Sequence, residues 1–227
     1  MATLAEFKAM FHEITTRVNV LIQQAENYYY MPKLMAARRY EPGGQTFLLI
    51  WRTIGFEIAA RLYRLLERDA RNHHLQALST MLKDDALLLQ MLPSYNRTGK
   101  RTEAGLRRAR NAIVRDIKTL QKSRVFARME IFRIRFVAHR QPEPRHLKRL
   151  PRSMQKNANV QNMKAADIRE LTERVSDICV RIGDLIAYSN FSPETTASLA
   201  RRDAKDLWEP APPDEDMLAF LGRKSDA

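Results

Sequence analysis

Apolar residues recur every three or four positions along most of the chain, which is the spacing of one face of an α-helix. The first segment, residues 4–30, has this spacing at Leu4, Phe7, Phe11, Ile14, Val18, Leu21 and Ile22. Pro32 follows the segment, and a proline inside a helix removes a hydrogen bond and crowds the preceding turn. The pattern therefore predicts a first amphipathic helix that ends near Tyr30.

The second segment, residues 47–67, has large apolar side chains around most of its circumference. The turn-forming run at residues 42–44 precedes it, and Thr46 is the predicted N-terminal cap. A helix that is apolar on several sides is usually buried on several sides. This segment is therefore predicted to be the central helix of the fold.

Helical spacing continues over residues 74–83, 85–92, 103–120, 125–139, 164–188 and 193–208. Asp84 is a candidate cap for the second of these helices, and Pro93 is predicted to end it. Ser192, Pro193 and Glu194 have the order of cap, first residue and early acid that begins a helix. No segment alternates apolar and polar residues as a strand does, so the predicted fold class is all-α.

Basic residues are concentrated between positions 97 and 152. This stretch has 18 Lys and Arg against four Asp and Glu, whereas the whole chain of 227 residues has a net charge of +13. Such a concentration favours a polyanion as partner, RNA or DNA. The predicted nucleic-acid-binding residues are Arg107, Arg108, Arg110, Arg115, Lys118, Arg140, Arg145, Lys148 and Arg149. A solvated, arginine-rich helix face is the alternative interpretation.

Several other classes of protein have no support in the sequence. The longest apolar run, residues 47–51, is far shorter than the roughly 20 residues of a membrane span, and the N-terminus does not resemble a signal peptide. Cys179 is the single cysteine, so it is predicted to be a small buried hydrophobe in a reducing environment. His73 and His74 are predicted to form a surface turn, because adjacent helical residues rarely bind one metal ion. We expect a cytoplasmic protein without a metal, a cofactor or a membrane partner.

The candidate active site lies near the end of the helix predicted over residues 125–139. One stripe of this helix contains Met129, Phe132, Phe136 and His139. Arg135 lies one turn before His139, and Arg133 lies on a neighbouring face. Partial shielding from water and two nearby positive charges favour the neutral form of the histidine at neutral pH. A neutral imidazole beside guanidinium groups suits RNA cleavage, in which it moves protons while arginine stabilises the phosphoryl charge. A core histidine stabilised at a helix C-terminus is the alternative.

This segment resembles the conserved end of HEPN domains, in particular the abortive-infection (AbiU2-like) type found in bacterial defence and toxin proteins. The motif of that family is an arginine, four to six residues of any kind and a histidine, near the end of a late helix. Here five residues separate Arg133 from His139, and Ile134 stands where the family often has a polar residue. Residues 137–139 keep the Ala-His end of a frequent family phrase without its Asn-Lys. Residues 51–82, a buried helix, an Arg-Asp turn and a leucine-rich short helix, are also similar.

The resemblance implies an all-α, HEPN-like antiparallel helical bundle over residues 1–190. Residues 191–227 would add a C-terminal helix, a proline-rich linker and a short terminal segment. The resemblance also implies a metal-independent endoribonuclease of a bacterial defence or toxin-antitoxin system. Arg133 and His139 would be catalytic and Arg135 would assist.

Further expectations concern the assembly. The resemblance implies a homodimer in which the motif helices face each other, and the stripe before His139 would then border the dimer contact. RNA is the implied partner, DNA is a second nucleic-acid candidate and an antitoxin is a candidate protein partner. The alternative function is a non-catalytic helical module that dimerises or binds nucleic acid.

Overall fold

The structure is a computed structural model that describes residues 2–38, 44–67, 74–97, 99, 101–133 and 164–208. These described residues form eight α-helices and no strand, which confirms the predicted all-α class. The helices are α1 (Leu4–Arg38), α2 (Gly44–Leu66), α3 (Leu75–Met81), α4 (Asp85–Tyr95), α5 (Glu103–Lys122), α6 (Arg124–Phe132), α7 (Ala165–Ile186) and α8 (Pro193–Trp208). None of these helices is both long enough and apolar enough to cross a membrane.

α1, and not the second helix as predicted, is the central helix of the described fold, since it packs against α2, α3, α4, α7 and α8. α7 runs antiparallel to it. Tyr188, just after α7, accepts or donates a hydrogen bond with Nδ1 of His12 at 2.5 Å, whereas Arg169 near the start of α7 lies over the ring of Tyr29. The end of α7 therefore lies beside the start of α1, and the start of α7 lies beside a later part of α1.

α8 turns back after α7 and runs parallel to α1. Thr196 Oγ1 donates to Asn19 Oδ1 at 3.2 Å, and Arg201 donates two hydrogen bonds of 3.0 Å to the carboxylate of Glu26. The buried side chains of α8 include Ala200 and Ala204, whose small size allows the helix to lie close to its neighbours. The predicted division of the chain after residue 190 stays a prediction.

The hydrophobic core is built by one face of each helix from α1 to α7. Its largest fully buried side chains include Phe7, Phe11, Ile14, Leu21, Ile58, Leu62, Leu78 and Phe126. α5 and α7 are the most clearly amphipathic elements, and their buried positions follow the predicted helical spacing. The core therefore confirms that periodicity along the sequence identified the inward faces of these helices.

The predicted end of α1 near Tyr30 is wrong, because the helix continues through Pro32 to Arg38. A proline in a helix leaves one carbonyl, four residues earlier, without its usual N–H donor. That carbonyl belongs to Tyr28, and it accepts a hydrogen bond of 3.2 Å from the indole Nε1 of Trp51. The loss of one backbone bond is thus compensated from α2, and the helix continues.

The prediction that the second helix is buried on several sides is wrong for its N-terminal half. Leu49 and Ile50 are 65% and 43% exposed, whereas Ile58 and Leu62 are fully buried. The helix also begins at Gly44, so Thr46 lies inside it and does not cap it. Apolar character along the helix could not indicate which of its turns would meet a neighbouring helix.

Two further local predictions are corrected. α4 contains Pro93 in its last turn and ends at Tyr95, although Asp84 caps its start as predicted by accepting from the N–H of Ala86 at 2.9 Å. His74 is only 2% exposed at the start of α3, so the predicted surface turn is wrong at this residue. His73 lies outside the described residues.

Candidate functional site

α6 is the described part of the helix that was expected to hold the active site. The Ser123 hydroxyl caps its start by accepting from the N–H of Phe126 at 3.2 Å. Ser123 has an extended backbone conformation, which ends α5 and separates it from α6. At the other end, the N–H of Arg133 still donates to the carbonyls of Met129 and Glu130. Arg133 therefore keeps a helical backbone directly after the last residue of α6.

An aromatic cluster from α2 and α6 surrounds the end of α6. The guanidinium carbon of Arg133 lies 4.1 Å from the ring centroid of Tyr63, close enough for a cation–π interaction. Tyr63 is in turn stacked on Phe126, with ring centroids 6.2 Å apart. Phe132 stacks on Phe56 of α2 at 5.3 Å. The aromatic contacts hold Arg133 in a defined position beside α2.

The first two members of the predicted stripe point inward. Met129 is fully buried in the core, and Phe132 packs against the core through Phe56. Met129 therefore cannot border a dimer contact, whereas Phe132 is only partly buried and its position beside such a contact stays a prediction. The remaining members, Phe136 and His139, lie outside the described residues.

Half of the predicted site residues lie outside the described part of the chain. This applies to the catalytic candidates Arg135 and His139 and to the nucleic-acid-binding candidates Arg140, Arg145, Lys148 and Arg149. Of the three catalytic candidates, Arg133 is among the described residues. That it forms one site with Arg135 and His139 stays a prediction.

A part-buried ion pair joins the two helices that flank residues 134–163. Arg128 of α6 donates from Nε to Oδ2 of Asp167 in α7 at 3.2 Å and makes a second contact from Nη2 to Oδ1. The Arg128 side chain is 21% exposed and that of Asp167 only 8%. Asp167 also accepts from the N–H of Lys164 at 3.1 Å, which fixes the first turn of α7. Both ends of the stretch that contains His139 are therefore held at one place in the bundle.

The described nucleic-acid-binding candidates lie on α5 and divide into two groups. Arg107 and Arg110 both donate to Asp85 of α4, at 2.9 and 3.2 Å, and Arg110 also donates to the carbonyl of Leu82 at 3.3 Å. The Arg107 guanidinium holds the pKa of the Asp85 carboxyl below its usual range. These two arginines therefore stabilise the contact between α4 and α5.

Arg108, Arg115 and Lys118 form the second group, on the outer face of α5. Arg115 is 76% exposed and makes a 3.7 Å contact with the neighbouring Asp116. Lys122, which was not among the predicted binding residues, lies on the same face, because it follows Arg115 by seven residues as Arg115 follows Arg108. We call Arg108, Arg115, Lys118 and Lys122 the α5 basic stripe. The seven-residue spacing could have identified Lys122 from the sequence.

The remaining reactive side chains give little indication of another reaction centre. Cys179 is fully buried as predicted, and burial raises the pKa of its thiol to about 12. Within the described ranges, no group of three or more His, Cys, Asp or Glu side chains could hold a metal ion.

Comparison with known protein families gives a match over most of the chain. The family model of HEPN domains described as AbiU2 matches residues 4–207, from the start of α1 to the last turn of α8. No curated protein and no solved structure matches the chain. The match covers most of the 227 residues, and it agrees with the helical bundle described above. The chain therefore belongs to the AbiU2 family of HEPN domains, the abortive-infection type that its arginine–histidine segment resembles.

Proposed function

We propose that this chain is a metal-independent endoribonuclease that acts in bacterial defence, with Arg133 and His139 as catalytic residues and Arg135 assisting. The observation that carries the proposal is the position of Arg133. It directly follows α6, is partly exposed, and is held beside α2 by the ring of Tyr63. Membership in an abortive-infection family of HEPN domains adds support.

The proposed reaction is an internal transesterification of RNA. The neutral imidazole of His139 accepts the proton of a 2′-hydroxyl, and the 2′-oxygen attacks the adjacent phosphorus. The bond to the 5′-oxygen of the next nucleotide breaks, and that oxygen takes up a proton from water as it leaves. Arg133 and Arg135 stabilise the negative charge on the phosphoryl oxygens. The products are a 2′,3′-cyclic phosphate and a 5′-hydroxyl end.

The α5 basic stripe is the described surface that would bind the RNA backbone. Its basic side chains recur along one helix face with a spacing of about 10 Å between residues seven positions apart. Guanidinium and ammonium groups on such a face bind phosphates of any sequence. We assign general RNA affinity to this stripe and bond cleavage to Arg133 and His139.

The active form is proposed to be a homodimer in which each subunit contributes an arginine–histidine set across a two-fold axis. An antitoxin that covers the basic surface is the proposed regulator. Since Met129 is fully buried, the dimer contact is assigned to surfaces beyond this position.

Cleavage by the His139→Ala variant tests the proposal. Loss of a general base typically slows a reaction by at least about 100-fold, so cleavage of a single-stranded RNA should fall by that factor. Circular dichroism and RNA affinity should match the parent.

Mixing His139→Ala with Arg133→Ala subunits should restore part of the activity if the site is shared. Parent protein that does not cleave RNA, or cleavage unaffected by His139→Ala, would sink the proposal.

The cation–π contact of Arg133 favours one second candidate. An arginine held over Tyr63 also serves a purely structural purpose, as expected of a non-catalytic module that binds nucleic acid. In that case the parent binds RNA without cutting it, and Arg133→Ala lowers stability without changing any reaction rate.

A further inference from the structure

A cavity of about 400 Å³ lies between α1 and α2, and its lining includes none of the site residues described above. It is lined by Arg17 of α1 and by Glu57, Ala60, Arg61, Arg64 and Leu65 of α2. Among the residues that the structure describes, three guanidinium groups and one carboxylate line this space. The lining is therefore cationic, and it comes from two helices that pack against each other.

The antiparallel packing of α1 and α2 explains why these side chains converge. Residues 57, 61 and 64 lie on one face of α2, because they are separated by four and three positions. Ala60 lies beside them and has only a methyl group, which leaves the space open. Leu65 is 2% exposed and provides an apolar wall. The cavity is therefore a shaped recess with charged and apolar sides.

Carboxylates hold two of the arginines in position. Arg61 donates from both Nε and Nη2 to Oε1 of Glu57, at 3.1 and 2.5 Å. Arg17 donates from Nη2 to Oε1 of Glu13, one turn earlier on α1. Arg64 is exposed and makes no ion pair with any residue that the structure describes. The cavity therefore combines two oriented guanidinium groups with one whose charge is available to a ligand.

We propose that this cavity is a phosphate-binding site that takes a nucleotide unit. Guanidinium groups bind phosphate oxygens through paired, charge-assisted hydrogen bonds, and Arg64 provides the uncompensated charge. The volume falls within the range of small-molecule sites, so a sugar or base has room against Ala60 and Leu65 while its phosphate meets the arginines. The phosphate is either part of an RNA strand or part of a free nucleotide.

The position of Arg64 favours the RNA strand. Arg64 directly follows Tyr63, whose ring carries Arg133. Consecutive residues of a helix point about 100° apart. The cavity at Arg64 and the proposed catalytic Arg133 at Tyr63 therefore lie on adjacent faces of α2. A strand bound at Arg133 can then continue over α2 into the cavity. This step alone rests on the proposed function, whereas phosphate binding does not.

The experiment measures binding in a His139→Ala background, which keeps the RNA intact. The probes are a fluorescein-labelled 12-nucleotide single-stranded RNA and free adenosine monophosphate. Arg64→Glu is compared with Arg52→Glu, an exposed arginine of the same helix that does not line the cavity. Reversal at Arg64 should weaken RNA binding about tenfold, whereas reversal at Arg52 should weaken it less than about threefold. Arg64→Gln, which only removes the charge, should give a loss between these two values.

Each outcome decides the proposal. If only RNA binding depends on Arg64, the cavity holds the phosphate of a strand. If adenosine monophosphate binds and Arg64→Glu abolishes its binding, the cavity holds a free nucleotide. Equal effects of Arg64→Glu and Arg52→Glu on both probes would overturn the site. A parent chain that does not cleave RNA but shows the Arg64 effect would refute the proposed enzyme and leave this site standing.

Discussion

Tyr28 and Trp51 show how two residues allow a proline to lie inside the longest helix. Their rings are stacked at 4.8 Å and are almost parallel, and the indole N–H donates to the Tyr28 carbonyl that Pro32 leaves without a donor. Gly55 lets the tyrosine lie this close, because a Cβ atom there would be 2.9 Å from Tyr28 Cε2. The stack therefore stabilises both the α1–α2 contact and the course of α1.

Trp51→Phe should lower the free energy of unfolding by about 1 kcal/mol, because it keeps an aromatic ring but removes the hydrogen bond to Tyr28. The measurement is urea unfolding followed by circular dichroism. Pro32→Ala is the matched control, since its new N–H gives the Tyr28 carbonyl a donor within α1. In that background the cost of Trp51→Phe should become smaller. Equal costs in both backgrounds would show that the carbonyl does not depend on the indole.

Residue chemistry alone predicted some local roles and missed others. Asp84 was recognisable as a cap and Cys179 as a buried hydrophobe, because each role depends on residues nearby in the sequence. The shared partner of Arg107 and Arg110 was not recognisable, because Asp85 lies 22 and 25 positions away. The packing of α4 against α5 was needed to show which basic residues of α5 bind Asp85 and which, in the α5 basic stripe, are exposed.

The ion pair between Arg128 and Asp167 is the main polar contact between α6 and α7. It is largely shielded from water, and it joins two residues that lie 39 positions apart in the sequence. Paired, part-buried charges add little net stability, but removal of one partner leaves the other charge uncompensated. The pair therefore matters more for holding the two helices in register than for the total stability.

Asp167→Asn should lower the free energy of unfolding by about 2 kcal/mol, less than for a fully buried pair because Arg128 is partly exposed. Asparagine keeps an oxygen that can accept from Lys164, so the substitution isolates the charge. Glu173→Gln is the control, since it removes an exposed ion pair with Arg169 and should cost less than about 1 kcal/mol. Thermal unfolding of the two variants would contradict this ranking if their losses were equal.

At the scale of elements, periodicity predicted that the helices exist but not where they end. α5 and α7 agree with the predicted segments within a few residues, because amphipathic spacing and cap residues point to the same ends. α1 extends past Pro32 because the contact from Trp51 compensates for the lost backbone hydrogen bond. α4 extends past Pro93 because this proline lies in the last turn of the helix. The exposed first half of α2 was not predictable, since exposure depends on where the other helices lie.

The basic residues of α5 fall into an ion-paired group and an exposed group. Arg107 and Arg110 are used within the fold, whereas the α5 basic stripe faces outward. Reversal of Arg107 or Arg110 would place a carboxylate beside Asp85 and weaken the contact between α4 and α5. A test of nucleic-acid binding therefore has to use the stripe.

Arg108→Glu combined with Arg115→Glu should weaken RNA binding and reduce its salt dependence. Loss of two phosphate contacts should lower the slope of log affinity against log salt by about 1.4, since each contact to a single strand contributes about 0.7. Arg52→Glu combined with Arg202→Glu makes the same change in net charge on α2 and α8. Fluorescence anisotropy at several salt concentrations measures both slopes. If the two double variants lose affinity equally, binding follows net charge and the α5 basic stripe has no special role.

The parallel contact between α1 and α8 has a consequence for synthesis of the chain. Asn19 and Thr196 form their hydrogen bond across 177 positions, so a ribosome completes α1 long before its last described neighbour exists. At about 5–20 residues per second, this interval lasts roughly 10–35 s. The nascent first helix must therefore keep part of its surface uncovered until α8 has left the exit tunnel. The complete bundle, and any activity that depends on it, can form only after translation has passed residue 208.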